Sequence, residues 1–91
     1  MATLEQEVGD LLRQKGLTLG VVESATGGLI SHLTTNVPGS SDYFKGSVTA
    51  YNNETKVIVV GVKEESINQY GAVSPQVAEE MAQRGRIILA A

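Results

Sequence analysis

The stretch Leu17–Gly28, LTLGVVESATGG, decides the architecture. Leu17 to Glu23 is a short apolar run, opened behind Gly16 and closed by Ser24-Ala25-Thr26-Gly27-Gly28. An apolar run of that length between turn formers reads as a buried strand. The period then changes. Leu29, Ile30 and Leu33 share one helical face, and Asn36 and Pro38 end it, so a helix is expected from about Thr26 or Gly27 to Thr35. Strand, glycine turn and helix in immediate succession open an α/β unit.

Working outward, Thr3-x-x-Gln6 is a capping box ahead of Leu4, Val8, Leu11 and Leu12 at helical spacing, and Gly16 suits a C-cap, giving a helix at about 4–15. On the other side, Pro38-Gly39-Ser40-Ser41-Asp42 is a loop by composition. Phe44–Tyr51, FKGSVTAY, alternates and is rich in β-branched and aromatic residues, so it reads as a second strand. Asn52-Asn53 marks a turn. The next run, Glu54–Val60, has strand propensity and is left open between strand and helix on its residues alone. Glu64–Tyr70 is a short helix stopped by Gly71. Ser74-Pro75 then starts a last helix, with Val77, Ala78, Met81, Gly85 and Ile88 as its apolar stripe. The expected fold is α/β, a layered sandwich with a small sheet flanked by helices. No repeat or linker divides residues 1–91, which read as one domain.

Composition removes several classes of function. The 91 residues contain no cysteine, which excludes a disulfide framework, a thiolate metal site and a cysteine nucleophile. A formal net charge of −3 and only three Tyr, one Phe and no Trp argue against nucleic-acid binding, which needs a basic face and stacking platforms. No apolar run reaches the ~20 residues of a membrane helix, and MATLEQEVGD lacks the features of a signal peptide, so a cytoplasmic location is expected. No His, Asp or Glu cluster has metal-ligand spacing, and no cofactor is implied. A short chain with few aromatics leans on a partner copy for stability, so a homo-oligomer is expected.

Two segments carry candidate chemistry. In Glu23–Gly28, Ser24 and Thr26 offer hydroxyls, Gly27 and Gly28 permit close approach, and the helix N-terminus beyond offers N–H groups to an anion. The same residues also suit a plain cap and tight turn. In the second segment, Ser41 is followed by Tyr51 and Lys56. A serine needs a base, and a partly desolvated lysine can serve, with a tyrosine to relay the proton. Taken alone, Lys56 reads equally as a solvated helix charge. His32 reads as a solvated helix residue, and Glu64-Glu65 and Glu79-Glu80 as helix-opening carboxylates.

Together the segments resemble a known family. Glu23-Ser24-Ala25-Thr26-Gly27-Gly28-Leu29-Ile30 is similar to E-S-C-T-G-G-L-I, and Val37-Pro38-Gly39-Ser40-Ser41-x-Tyr43-Phe44 to V-P-G-S-S-x-x-F. Val48–Lys56 is similar to V-x-T-Y-S-N-E-A-K, and Tyr70–Ser74 to H-G-A-V-S. These motifs are those of the C-terminal domain of the competence/damage-inducible protein CinA, which also occurs as stand-alone nicotinamide-nucleotide amidohydrolase. The resemblance implies hydrolysis of nicotinamide mononucleotide to nicotinic acid mononucleotide and ammonia, in pyridine-nucleotide salvage. It implies Ser41 as nucleophile, Lys56 as proton acceptor and Tyr51 as relay, with Ser24, Thr26, Gly27 and Gly28 binding substrate. It also favours helix over strand at Asn53–Val60. Ala25, Ala50 and Asn52 stand where the family has Cys, Thr and Ser. The family continues into further strands and a T-G-x-x-G-P loop, so the resemblance implies the first half of such a domain. A non-catalytic nucleotide- or phosphate-binding module, or an oligomerising structural piece, is the alternative reading.

Overall fold

A computed structural model describes residues 1–91. Helix α1 (Leu4–Lys15) opens on the expected reciprocal cap: the Gln6 N–H donates to Thr3 Oγ1 at 3.2 Å and the Thr3 N–H donates to Gln6 Oε1 at 2.9 Å. It stops at Gly16, held at φ 63°. Strand β1 (Leu19–Glu23) follows, two residues shorter than expected. Gly27 and Gly28 sit at φ 61° and 104°, a left-handed pair that no helix accommodates, so α2 (Leu29–Thr35) begins later than its pattern suggests. A single 3₁₀ turn at Ser40–Asp42 leads into β2 (Phe44–Thr49), which ends before Ala50 and Tyr51.

The two strands are parallel, with Gly20 opposite Gly46 and Glu23 opposite Thr49, and a register slip between Leu19 and Gly20. Parallel pairing makes the chain return through α2 and the 3₁₀ turn to the starting edge before β2 begins. Everything after β2 therefore departs from the opposite, C-terminal edge.

Glu54–Val60 resolves as helical: α3 (Asn53–Thr55) runs into a π-helical turn at Lys56–Val60. Asn52 caps it, its Oδ1 accepting the Thr55 N–H at 2.8 Å. Strand propensity loses here because burial follows a helical spacing, with Lys56 and Val60 inside and Ile58 and Val59 in solvent. The Lys56 carbonyl accepts from both Gly61 N–H (3.1 Å) and Val62 N–H (3.0 Å), which closes the wide turn. Helices α4 (Glu64–Tyr70) and α5 (Pro75–Ile88) complete the chain, the latter capped by Ser74, whose Oγ accepts the Val77 N–H at 3.2 Å.

The core gathers at the same C-terminal edge: Ala50, Val60, Val62, Val77 and Met81, with Val22, Val48 and Ile67 against it. Helix α5 approaches β1 at Gly85, where any Cβ would collide with the Val22 side chain. The molecule is elongated, 44 × 22 × 19 Å, and leaves Leu4, Val8, Leu11, Ile30 and Leu33 of α1 and α2 largely exposed. No helix is long and apolar enough to cross a membrane.

Candidate functional site

Residue 24 is the first to leave β1 at the C-terminal edge, and residue 56 lies in the turn that the chain makes after leaving β2 at that same edge. Ser24 and Lys56 line one cavity of about 480 Å³, whose apolar lining includes Val22, Ala78 and Met81 and which Val73 and Ser74 also line.

Lys56 is the unusual member. Only 5% of its surface is exposed, yet the single ion pair in the molecule is Arg13–Asp42, and Tyr43 Oη is the only fully sealed side-chain polar atom without a partner. The Lys56 amine therefore has neither a counter-ion nor a hydrogen bond, and it keeps contact with solvent through the cavity. This corrects its reading as a solvated surface charge. Its main chain is fixed on both sides by the Asn52 carbonyl, which accepts its N–H at 3.1 Å, and by the π turn.

Ser24 is half-buried, and its neighbour Glu23 explains the turn that carries it. Glu23 is 3% exposed and accepts from the Thr26 hydroxyl (2.7 Å), the Ile30 N–H (2.8 Å), the Ser31 N–H (3.0 Å) and the Ser31 hydroxyl. Burial alone would raise its carboxyl, but these hydrogen bonds outweigh it and hold the group at about 2. The clasp overturns one expectation. The α2 N-terminus does not offer its N–H groups to a ligand, because Glu23 already occupies those of Ile30 and Ser31. Inside the turn, the N–H groups of Ser24, Ala25, Thr26 and Gly28 bond to nothing in the protein. The Thr26 hydroxyl spends its proton on Glu23, and Gly27 closes the turn by donating its N–H to the Ser24 carbonyl at 3.0 Å.

The structure does not bring Ser41 to this place. Ser41 is exposed in the 3₁₀ turn at the N-terminal edge, and the six residues of β2 lie between it and the edge that holds Lys56. At ~3.3 Å per residue that is roughly 15–20 Å of strand. The loop does not double back: Arg13 ties it to α1 by donating to the Gly39 carbonyl at 2.9 Å and pairing with Asp42 at 3.4 Å. Tyr51, just beyond β2, is 73% exposed and does not line the cavity. The trio Ser41, Tyr51 and Lys56 is thus not brought together within one chain, whereas Ser24 and Lys56 line the same cavity. No three His, Asp or Glu side chains come together as a metal site.

Sequence reasoning missed Glu23 as a buried clasp and the α5 wall of the cavity. Glu23 had a signal. It is a charge ending an otherwise apolar strand, with Thr26 and Ser31 at distances a helix start can fold back upon it.

Lys56, without a counter-ion, and Ser24 line one cavity at the C-terminal edge of a parallel two-stranded sheet in an α/β protein. The family model for the CinA C-terminal domain matches residues 1–91, and the chain belongs to that family. It is 52% identical over 80 residues to a putative competence-damage inducible protein of Halothermothrix orenii, covering 88% of this chain and 19% of that protein. It is 54% identical over 80 residues to a CinA-like protein of Flavobacterium psychrophilum, again 88% of this chain and 19% of the relative. Among solved structures, the competence or damage-inducible protein of Enterobacter asburiae superposes with a TM-score of 0.94 at 30% identity, over 97% of this chain and 55% of that one. The competence/damage inducible protein CihA of Agrobacterium tumefaciens gives 0.88 at 33% identity, over 93% of this chain and 52% of that one. The chain therefore spans about a fifth of those sequence relatives and about half of those solved chains.

Proposed function

We propose that the cavity is an amidohydrolase site that opens the carboxamide of nicotinamide mononucleotide, with Ser24 as nucleophile and Lys56 as its base. The observation that carries this reading is the Lys56 amine, buried, unpaired and facing the cavity that Ser24 also lines. The substrate comes from the resemblance to nicotinamide-nucleotide amidohydrolases. The apolar lining that Val22, Ala78 and Met81 supply suits the flat face of a pyridine ring.

The chemistry balances as follows. Ser24 Oγ adds to the amide carbon while the Lys56 amine takes the hydroxyl proton. The free N–H groups of Ala25 and Thr26 supply donors for the oxyanion. Collapse breaks the C–N bond, and Lys56 returns the proton to the departing ammonia. Water, deprotonated by the same amine, then attacks the acyl-serine, the C–Oγ bond breaks, Lys56 returns the proton to Ser24 Oγ, and the acid leaves as its carboxylate. In this reading Ser24 rather than Ser41 is the nucleophile, and the exposed Tyr51 takes no step. No cofactor is needed. The exposed Leu4, Val8, Leu11 and Ile30 support the further proposal that copies of the chain associate.

The test is ammonia release from nicotinamide mononucleotide by the purified chain. Ser24→Ala should abolish it and Ser41→Ala should leave it within about twofold of the parent. The reverse pattern would return the nucleophile to Ser41.

A further inference from the structure

We infer that Glu23 is the positioning residue for Ser24: its buried carboxylate ties the strand end to the helix beyond the turn that carries Ser24 along the cavity wall. This rests on the proposed Ser24–Lys56 reading and deepens it.

Nothing in the turn's own composition fixes its shape. Ser24–Gly28 contains two consecutive glycines, the least restrained of residues, both at positive φ. The residue at the N-cap of α2 is Gly28, which has no side chain to bind the helix's first N–H groups. Left to itself, such a turn would sample many arrangements, and a serine at its first position would share them. Glu23 removes that freedom. Its side chain reaches forward to the Ile30 and Ser31 N–H groups, so it caps α2 from the strand side. On the way it takes the Thr26 hydroxyl in the middle of the turn. Its own carbonyl meanwhile accepts the Ala50 N–H at 2.8 Å, which ties the same residue to the strand edge.

Strand alternation turns this clasp into aim. Successive side chains of a strand point to opposite faces. Val22 and Ser24 line the cavity, and Glu23 between them faces α2. Fixing the roll of Glu23 by four hydrogen bonds fixes which way its neighbour points. A serine at position 28 could have capped α2 without burying a charge. What the buried carboxylate adds is a rigid link between strand, turn and helix.

The test compares the parent with Glu23→Gln, which keeps the shape but replaces one acceptor oxygen by a donor. The primary readout is the rate at which a fluorophosphonate modifies Ser24. In that reaction the Oγ–P bond forms, the P–F bond breaks, fluoride leaves and Lys56 takes the proton. The secondary readout is kcat and KM for nicotinamide mononucleotide, taken where melting curves show both proteins folded. The expected result is a fall of about 10–100-fold in labelling rate and in kcat, with KM within about threefold, since misplacing a reacting group by about 1 Å costs that much. Labelling at the parent rate with only a lowered melting temperature, or a change in KM alone, overturns the inference. If Glu23→Gln does not fold, Ser31→Ala takes its place. It removes one donor to the clasp and should slow labelling by about threefold, and the parent rate there overturns the inference. A parent chain labelled at Ser24 that releases no ammonia overturns the amidase reading alone, while the labelling rates still decide the role of Glu23. A parent not labelled at Ser24 overturns both.

Discussion

Replacing Lys56 by methionine should make the protein more stable and inactive at once. A residue retained for structure alone would not give that pair of effects. Lys56 is 5% exposed, and its amine has no partner in the protein. A buried polar group left unsatisfied costs about 1–3 kcal/mol. The amine keeps contact with solvent through the cavity, which places its cost at the low end, about 1 kcal/mol. Methionine keeps an unbranched chain of similar length, so the packing of the stem survives and the polar cost disappears. For a domain of this size, about 1 kcal/mol corresponds to a melting temperature higher by about 4–8 °C. Alanine at the same position should do the opposite. It discards the buried stem and leaves a gap in the wall, at a cost of about 2 kcal/mol. Thermal melts of parent, Lys56→Met and Lys56→Ala, run beside fluorophosphonate labelling of Ser24, read both effects. The reasoning is refuted if Lys56→Met melts several degrees below the parent, which would mean that the amine has a stabilising partner. It is equally refuted if Ser24 in Lys56→Met is labelled at the parent rate.

The Glu23 clasp predicts acid sensitivity with a definite sign. The folded carboxyl lies at about 2, below its usual 4.5, so the stabilisation is present above about 4.5 and is lost as pH falls toward 2. The full shift corresponds to roughly 3 kcal/mol at 1.36 kcal/mol per unit. Its partners Thr26 and Ile30 are exposed, and solvent screening there reduces this to about 1–2 kcal/mol. The parent's melting temperature should therefore fall more steeply between pH 5 and about 2.5 than that of Glu23→Gln, and equal slopes would contradict the clasp. Gly85→Ala drives a methyl into Val22 and should cost about 1–3 kcal/mol by overpacking, read as a lower melting temperature with labelling of Ser24 retained in the folded fraction. Arg84 donates from Nε to the Val60 carbonyl at 3.2 Å, so Arg84→Ala should cost about 1 kcal/mol and speed amide exchange at Gly61 and Val62, where the π turn closes. Light scattering should find an oligomer, and Leu4→Glu or Val8→Glu should weaken it; a monomeric parent would remove that proposal.

Much of the fold was legible because each helix carried its own punctuation. Thr3 and Gln6, Ser74 and Pro75, and the glycines at 16 and 71 act locally, so local reading finds them. Glu54–Val60 was not legible from propensity. Its valines favour a strand one residue at a time, and only the packing of Val60 and Val62 against α5 makes the helical turn the better choice. The meeting of Ser24 and Lys56 around one cavity was not legible either, for a different reason. Ser41 lies nearer to Tyr51 and Lys56 in sequence than Ser24 does, but sequence distance is the wrong measure in a parallel sheet. A strand–helix–strand unit carries the chain back to its starting edge, so residues just before a strand and residues just after it lie a full strand apart. Residues just after each of two parallel strands lie side by side. Ser24 follows β1 and Lys56 follows β2, and ligands of open α/β sheets bind where strands end. Strand and helix positions were legible, but the parallel pairing that puts Ser24 and Lys56 on one edge and Ser41 on the other was not.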